Sequence, residues 1–286
     1  MHTVHSIHDL QTARRSFSGT FGLVPTMGAL HEGHLSLVRR ARSECDRVGV
    51  SIFINPAQFG PTEDLGRYPR DIPHDLSLLA ALDVDVVWTP KPEVVYPRSY
   101  QTFITVEEVS RHLEGRSRPG HFRGVATVVA KLCNLFAPDR AYFGQKDAQQ
   151  VVVIRRMIED LNFPVKIVVC PTVRAPDGLA LSSRNEYLNA RERMAATVLY
   201  RALLAGGDSF TAGERRASAI RAAMKTVLDT EPLAQIEYIS AADPETLVEV
   251  DSVKAGVLLS LAVRIGTTRL IDNLPLIPGG AHPAGS

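Results

Sequence analysis

The chain is poor in cysteine: Cys45, Cys133 and Cys170 are far apart, with no C-x-x-C pair. That excludes a disulfide framework and a zinc knuckle. An excess of one charge is also missing. Lys plus Arg number 32 against 31 for Asp plus Glu, a formal net charge of +1, so there is no basic stripe of the kind a nucleic-acid binder needs. No run approaches the ~20 apolar residues that cross a bilayer. The N-terminal stretch carries Asp9 and no long apolar segment, unlike a secretory signal. No internal repeat is visible. These gaps predict a reducing, cytoplasmic setting, with neither nucleic acid nor membrane as partner. What is present is length, since 286 residues can bury a full core and leave room for two domains.

The most informative stretch is Val24-Pro25-Thr26-Met27-Gly28-Ala29-Leu30-His31-Glu32-Gly33-His34-Leu35. Phe21 to Val24 reads as a buried strand, and Pro25, Thr26 and Gly28 break it. From about Glu32 the pattern turns helical, with Leu35, Val38 and Ala41 on one face. His31 and His34 thus stand at the mouth of a helix, and their i, i+3 spacing puts both imidazoles on one side. A helix N-terminus offers unpaired N–H groups and partial positive charge, which suit phosphate. Gly33 removes a side chain where a flat base would lie against the backbone. Zinc is a poor alternative, because the metalloprotease pattern is H-E-x-x-H and no third ligand is near. A helix cap without chemistry stays open.

Elsewhere strands and helices alternate. Ser6 to Ser16 reads as a helix and Val48 to Ile54 as a strand buried on both faces. Asn55-Pro56-Ala57-Gln58-Phe59-Gly60 follows at its carboxyl end, where open α/β sheets bind ligands. Asn55 and Gln58 are therefore site candidates, with a plain Asn-Pro turn as the equal alternative. A polar loop spans Glu63 to Arg70, and Pro73 opens a helix through Leu82. Val84 to Trp88 is a strand, after which Pro90, Pro92 and Pro97 stop regular structure. Phe103 to Val106 is expected as a strand and Glu107 to Leu113 as a helix. Glu114 to Gly124 reads as a mobile loop whose Arg116, Arg118, His121 and Arg123 suit a phosphate. Helix Val125 to Phe136 and strand Arg140 to Phe143 lead to Gly144-Gln145-Lys146-Asp147 and a helix over Ala148 to Leu161. A lysine at a helix start opposes the dipole, so Lys146 reads as a cation for a phosphate group, with Gln150 facing the same way. Strand Val165 to Val169 completes a repeated β-α-β pattern.

The fold class expected is therefore α/β, a Rossmann-like parallel sheet over 1–172 followed by a smaller α+β domain over 173–286. The second domain is introduced by Pro171-Thr172-Val173-Arg174, Asp177-Gly178-Leu179-Ala180 and Leu181-Ser182-Ser183-Arg184-Asn185, where hydroxyls, backbone N–H groups and an arginine crowd together after a strand as a polyphosphate site needs. Serine and asparagine also cap helices, and both roles can hold. Ala-rich helices over Ala190 to Ala205 and Gly213 to Leu228 come next, separated by Gly206-Gly207. Strand-like runs follow at Gln235 to Ser240, Val257 to Val263 and Thr268 to Leu274. The Gly- and Pro-rich tail, Pro278 to Ser286, is expected to lack fixed structure.

H-x-G-H after a strand resembles the nucleotide-binding signature of adenylate-forming transferases related to class I aminoacyl-tRNA synthetases. The string Pro25 to His34 resembles one branch, the pantoate–β-alanine ligases, or pantothenate synthetases. Asn55 to Phe59, Tyr68-Pro69-Arg70, Gly144 to Gln150 and Pro171 to Arg184 follow in that family's order. The resemblance implies two steps: pantoate and ATP give pantoyl-adenylate and pyrophosphate, then β-alanine displaces AMP. It makes His34 the catalytic histidine, aided by His31, Lys146 and Arg184. ATP contacts are implied for Met27, Gly28, Ala29, Leu30, His31, Glu32, Gly33 and His34. They are implied too for Gly144, Gln145, Lys146, Asp147, Val173, Leu181, Ser182, Ser183 and Arg184. Gln58 and Gln150 would hold pantoate, and Gln58 would also lie beside β-alanine. Mg²⁺ would accompany ATP, with Asp75 placed to help bind it. A homodimer and a C-terminal domain acting as a lid are implied as well.

Four positions depart from that pattern. Gln145 stands where glutamate is common, Ala148 where tyrosine is frequent, Leu181 where methionine is usual, and His74 where an acidic residue adjoins Asp75. None removes a phosphate or pantoate group. A nucleotidylyltransferase acting on a phosphate ester would call for cations where Gln58 and Gln150 sit. An aminoacyl-tRNA synthetase would need a tRNA-binding domain. Intact His34, Lys146 and Arg184 argue against a non-catalytic nucleotide sensor.

Overall fold

The apolar runs of the first half become parallel strands. The computed structural model describes residues 1–61 and 63–277, divided into a unit of Met1–Gln145 with Gln149–Pro171 and a unit of Lys146–Ala148 with the chain from Thr172. In the first unit β1 (His2–Val4), β2 (Phe21–Thr26), β3 (Arg47–Ile52), β4 (Val86–Trp88), β5 (Arg140–Gly144) and β6 (Lys166–Cys170) form one sheet. Their order is β1-β4-β3-β2-β5-β6, all parallel. The inner strands β2 and β3 are covered on both faces, which is why their residues run apolar without alternation. Helices α1 (Ile7–Arg15), α2 (Glu32–Glu44), α3 (Ile72–Ala80), α4 (Pro92–Val95), α5 (Glu114–Ser117), α6 (His121–Phe136) and α7 (Ala148–Asp160) connect them. Leu37, Val38 and Ala41 of α2 and Leu79 of α3 pack against Val24, Val48 and Val50 of the sheet.

Pro25 lies inside β2, in register with Ser51, instead of ending it. Strand β5 pairs only with Gly22 and Leu23, so the missing N–H of Pro25 interrupts nothing on that side. The strand order reverses at β2, whose chain leaves toward β3 while β5 lies on its other side. In open α/β sheets the carboxyl ends at such a reversal are where ligands bind.

Several expectations fail between β4 and β5: Pro92 opens the short helix α4, the strand over 103–106 and the helix over 107–113 do not form, and the loop over 114–124 is largely helical. Residues 101–106 are irregular and 107–110 form turns, with helix only at α5. Phe103 docks under the Arg123 guanidinium, 3.6 Å from its ring centroid, and Ile104 N–H donates to Thr127 Oγ1 at 3.0 Å. The segment is thus bound to α6 and not to a sheet edge. Helix α6 begins at His121, four residues before the expected start, so His121 and Arg123 are helical and not on a mobile loop.

The second unit holds an antiparallel sheet of β7 (Ala234–Ala242), β8 (Val257–Ile265) and β9 (Thr268–Leu276) in that order. Helices α8 (Ala190–Ala195), α9 (Val198–Thr211) and α10 (Ala217–Leu228) accompany it. Leu199, Leu203, Ile220, Met224, Leu259, Leu261 and Leu274 share its core. Gly206 and Gly207 do not separate a pair of helices but lie within α9. A Cβ on Gly206 would come within 2.8 Å of both Leu259 and Met224, so the glycine serves close packing. The chain breaks instead at residues 212–216, between α9 and α10, and again at residues 196–197, between α8 and α9. The three cysteines are buried thiols. Among the described residues no helix is long and apolar enough to cross a membrane. The tail from Pro278 lies outside the described residues.

Candidate active site

The turn from β2 to α2 is built around left-handed backbone. Gly28 has φ +83° and Ala29 φ +49°, the first natural for glycine and the second costly for alanine. Asp75, at the start of α3, holds that turn. Its Oδ2 accepts from Ala29 N at 3.0 Å and its Oδ1 from Leu30 N at 2.8 Å. The side chain is wholly buried. Burial pushes the Asp75 carboxyl above its ordinary range, against the opposing pull of the Leu30 and Ala29 N–H groups. Asp75 therefore departs from its expected place beside Mg²⁺, because both oxygens are spent on the backbone. Among the described residues no group of three or more His, Cys, Asp or Glu side chains is arranged to hold a metal.

His31 is the N-cap of α2 and His34 sits three residues on. Gly33 N–H donates to His31 Nδ1 at 3.2 Å, and His31 N–H donates to His34 Nδ1 at 3.4 Å. A nitrogen that accepts carries no proton, so each neutral ring keeps its hydrogen on Nε2. The ring centroids are 4.2 Å apart. Two N–H donors thus stand together at the positive end of a thirteen-residue helix. The cap reading thus holds for both histidines, whose Nδ1 atoms accept from the main chain. Glu32, between them, pairs with Arg39 on the exposed side of α2.

Gln58 joins this turn through Met27. Its Nε2–H donates to Met27 Sδ at 3.0 Å and its Oε1 accepts from Asn55 Nδ2 at 3.0 Å. Asn55 also donates to Gly124 O at 3.0 Å and accepts from the Tyr96 hydroxyl at 2.9 Å. Behind Gln58 lies the start of α6. His121 Nδ1–H donates to Gln58 O at 2.8 Å, and Arg118 Nη1–H donates to His121 Nε2 at 3.2 Å. Arg118 in turn pairs with Glu63 at 2.5 Å. Burial, aided by the Arg118 charge, pulls the His121 pKa down to about 4. Burial pushes the Glu63 carboxyl up, but Arg118 outweighs it and the net direction is down. Arg118, His121 and Arg123, expected to face a phosphate, are thus committed to internal contacts. Gly124 lets α6 approach, because a Cβ there would lie 2.2 Å from Ala57 O.

Gly144 ends β5 and Gln145 follows it, while Gln150 lies in the first turn of α7, half-buried. Its neighbour Gln149 is buried and holds Glu114 N, Val109 O and His112 O. No polar partner is found for Gln150 among the described residues, which leaves its amide available where Gln149 is consumed.

The remaining candidates belong to the second unit. Lys146 Nζ is 3.8 Å from Asp147 Oδ1, an ion pair too long for a hydrogen bond. Val173 and Leu181 are joined by Leu181 N–H donating to Val173 O at 3.0 Å, closing a small hairpin over Gly178. Ser182 Oγ caps the next turn, accepting from Arg184 N at 3.3 Å, and Ser183 is buried.

A model of the pantoate-beta-alanine ligase family matches residues 1–275. The chain belongs to the pantoate–β-alanine ligase family. A pantothenate synthetase of Roseiflexus sp. is 62% identical over 96% of this chain and 99% of its own length. One from Chloroflexus aggregans is 56% identical over 97% and 100%. The crystal structure of pantothenate synthetase from Thermus thermophilus superposes with a TM-score of 0.92 at 48% identity, covering 96% of this chain and 99% of that one. That of pantoate-beta-alanine ligase from Francisella tularensis, complexed with beta-gamma ATP and β-alanine, gives 0.81 at 38% identity over 98% and 99%. Within this family frame, sequence reasoning missed Tyr96 and His121 as supports of the Asn55–Gln58 loop, and Asp75 as the support of the histidine turn. Gly124 was the available signal, a glycine in an otherwise apolar helix, which marks close approach.

Proposed function

We propose that this ligase condenses pantoate with β-alanine at the expense of ATP, through pantoyl-adenylate. The observation that carries the reading is the pair of imidazoles of His31 and His34 brought together at the start of α2, with Met27 of the same turn bonded to the Gln58 amide. Attack by a pantoate carboxylate oxygen on the α-phosphorus adds negative charge to the phosphate oxygens. Donors already fixed in place stabilise that charge without reorganising. His34, in the first turn, is the catalytic histidine and His31 assists it.

Gln58 spends one hydrogen and one lone pair on Met27 and Asn55, and keeps one of each. An amide with that capacity, together with Gln150, can hold the hydroxyls and carboxylate of pantoate. A cation there would stabilise the carboxylate before reaction and slow its attack. Gln58 also borders the β-alanine site. By family resemblance the ATP contacts assigned in the first unit are Met27 to His34, Gly144 and Gln145, and those assigned in the second unit are Lys146, Asp147, Val173 and Leu181 to Arg184. Lys146 and Arg184 neutralise the departing pyrophosphate. In the second step the β-alanine amine attacks the acyl carbon, and AMP leaves with the oxygen that pantoate contributed. No side chain becomes covalently linked, because the substrates do the attacking.

Mg²⁺ travels with ATP on its phosphates. Asp75 does not fit as a protein ligand for it, and no step here runs through the metal. A cytoplasmic homodimer accords with the family and the buried thiols. Incubation with ATP, pantoate and β-alanine tests the function. AMP and pantothenate should form together and vanish when any one substrate is omitted. AMP without pantothenate, or pantothenate without pantoate, would reject it.

A further inference from the structure

Strand β9 carries two adjacent polar residues, Asp272 and Asn273, as deeply buried as its leucines. Neighbours on a strand point to opposite faces, and Asp272 shares its face with Leu270 and Leu274 of the apolar core. A carboxylate in such a place is costly unless fully paired. Arg174 supplies the partner in a two-pronged bridge, Nη1 to Oδ2 at 2.5 Å and Nη2 to Oδ1 at 2.9 Å. The same guanidinium lies 3.9 Å from the Tyr200 ring centroid and donates to Gly178 O at 3.1 Å, so it also fixes the Val173–Leu181 hairpin.

This pair immobilises the main chain of Asn273 at both ends. Asn273 N–H donates to Asp272 Oδ1 at 2.8 Å, and Asn273 O lies 3.5 Å from Arg174 Nη2. Held in this way, Asn273 extends Nδ2 to Lys146 O at 2.9 Å, across 127 positions of sequence. One rigid dipeptide therefore grips the main chain at Lys146 and, through Arg174, the hairpin that leads into Ser182–Arg184. These are the two segments assigned above to the ATP phosphates.

We propose that Asn273 is a positioning residue for adenylation: its side-chain amide fixes Lys146 relative to the Val173–Arg184 segment, so that both meet one triphosphate. The inference rests on the phosphate role of Lys146. Asn273→Ala removes the hydrogen bond to Lys146 O, and Asn273→Asp keeps the shape but loses that donor. Each should lower kcat/KM for ATP in pyrophosphate release by about 5- to 50-fold while the pantoate KM changes less than about twofold. Asn273 acts through Lys146, so Lys146→Ala and the Lys146→Ala/Asn273→Ala double variant should be equally slow. Thermal unfolding midpoints check that each protein is folded, and Asn273→Asp carries the test if Asn273→Ala is not. A wild-type kcat/KM for ATP in the folded Asn273 variants would overturn the inference, as would a double variant slower by the product of the two single losses. Undiminished pyrophosphate release by Lys146→Ala would instead remove the underlying role of Lys146, and is read from that variant alone.

Discussion

Lowering the pH should weaken the first unit through His121. Its Nδ1–H is committed to Gln58 O, its Nε2 accepts from Arg118, and its pKa is pulled from 6.5 to about 4. A histidine with a depressed folded pKa stabilises the fold as the neutral form. The contribution is complete above the unfolded pKa near 6.5 and is lost as pH falls toward about 4, because the unfolded chain takes the proton first. The shift corresponds to a loss of about 2 kcal/mol at pH 5 and about 3 kcal/mol at pH 4, relative to pH 7. Carboxylates whose pKa values are lowered, Glu63 among them, also weaken the fold in acid, so the comparison must be with a variant. His121→Asn retains a donor toward Gln58 O but cannot titrate. Urea unfolding can be followed by fluorescence of Trp88, the sole tryptophan and fully buried in the first unit. The stability gap between wild type and His121→Asn should shift by about 2 kcal/mol in favour of the variant from pH 7 to pH 5. Parallel pH profiles for the two proteins would refute the reasoning.

Gly124→Ala should cost about 1–3 kcal/mol of stability and raise the pantoate KM, since the new Cβ would push Ala57 O and the Gln58 backbone from 2.2 Å; unfolding curves and steady-state kinetics check both. His34→Ala should cut adenylate formation by about two orders of magnitude or more while the protein stays folded, with only the small loss of stability expected of a removed cap contact, and wild-type rates would remove it from the mechanism. Gln150→Ala should raise the pantoate KM far more than the ATP KM, and the reverse result would mean the subsites are exchanged.

The parallel sheet was legible because its inner strands are continuous apolar runs and its helices have apolar faces of clear period, although Pro25 lies within β2 and does not end it. The histidine turn was legible for the same reason, and the H-x-G-H spacing carried its chemistry. Other features depend on partners far along the chain. Phe103 to Val106 has strand composition, yet Arg123 and Thr127 claim it for α6. Arg118, His121 and Arg123 have the composition of a phosphate loop, yet Glu63, Gln58 O and Phe103 consume them. Asp75 was expected to help bind Mg²⁺ from its position in the family pattern. Its burial against Ala29 N and Leu30 N has no local signature. Gly206-Gly207 looked like a helix break because the Leu259 and Met224 side chains that need the space are remote in sequence.

The central claim is that a pantoate carboxylate oxygen attacks the α-phosphorus while His31 and His34 stabilise the charge. Pantoate labelled with ¹⁸O in its carboxylate tests this most directly, with AMP analysed by mass spectrometry after turnover with ATP and β-alanine. One ¹⁸O should appear in the phosphate of AMP, because the attacking oxygen stays on phosphorus when the amine displaces AMP. Unlabelled AMP formed alongside labelled pantothenate would contradict it.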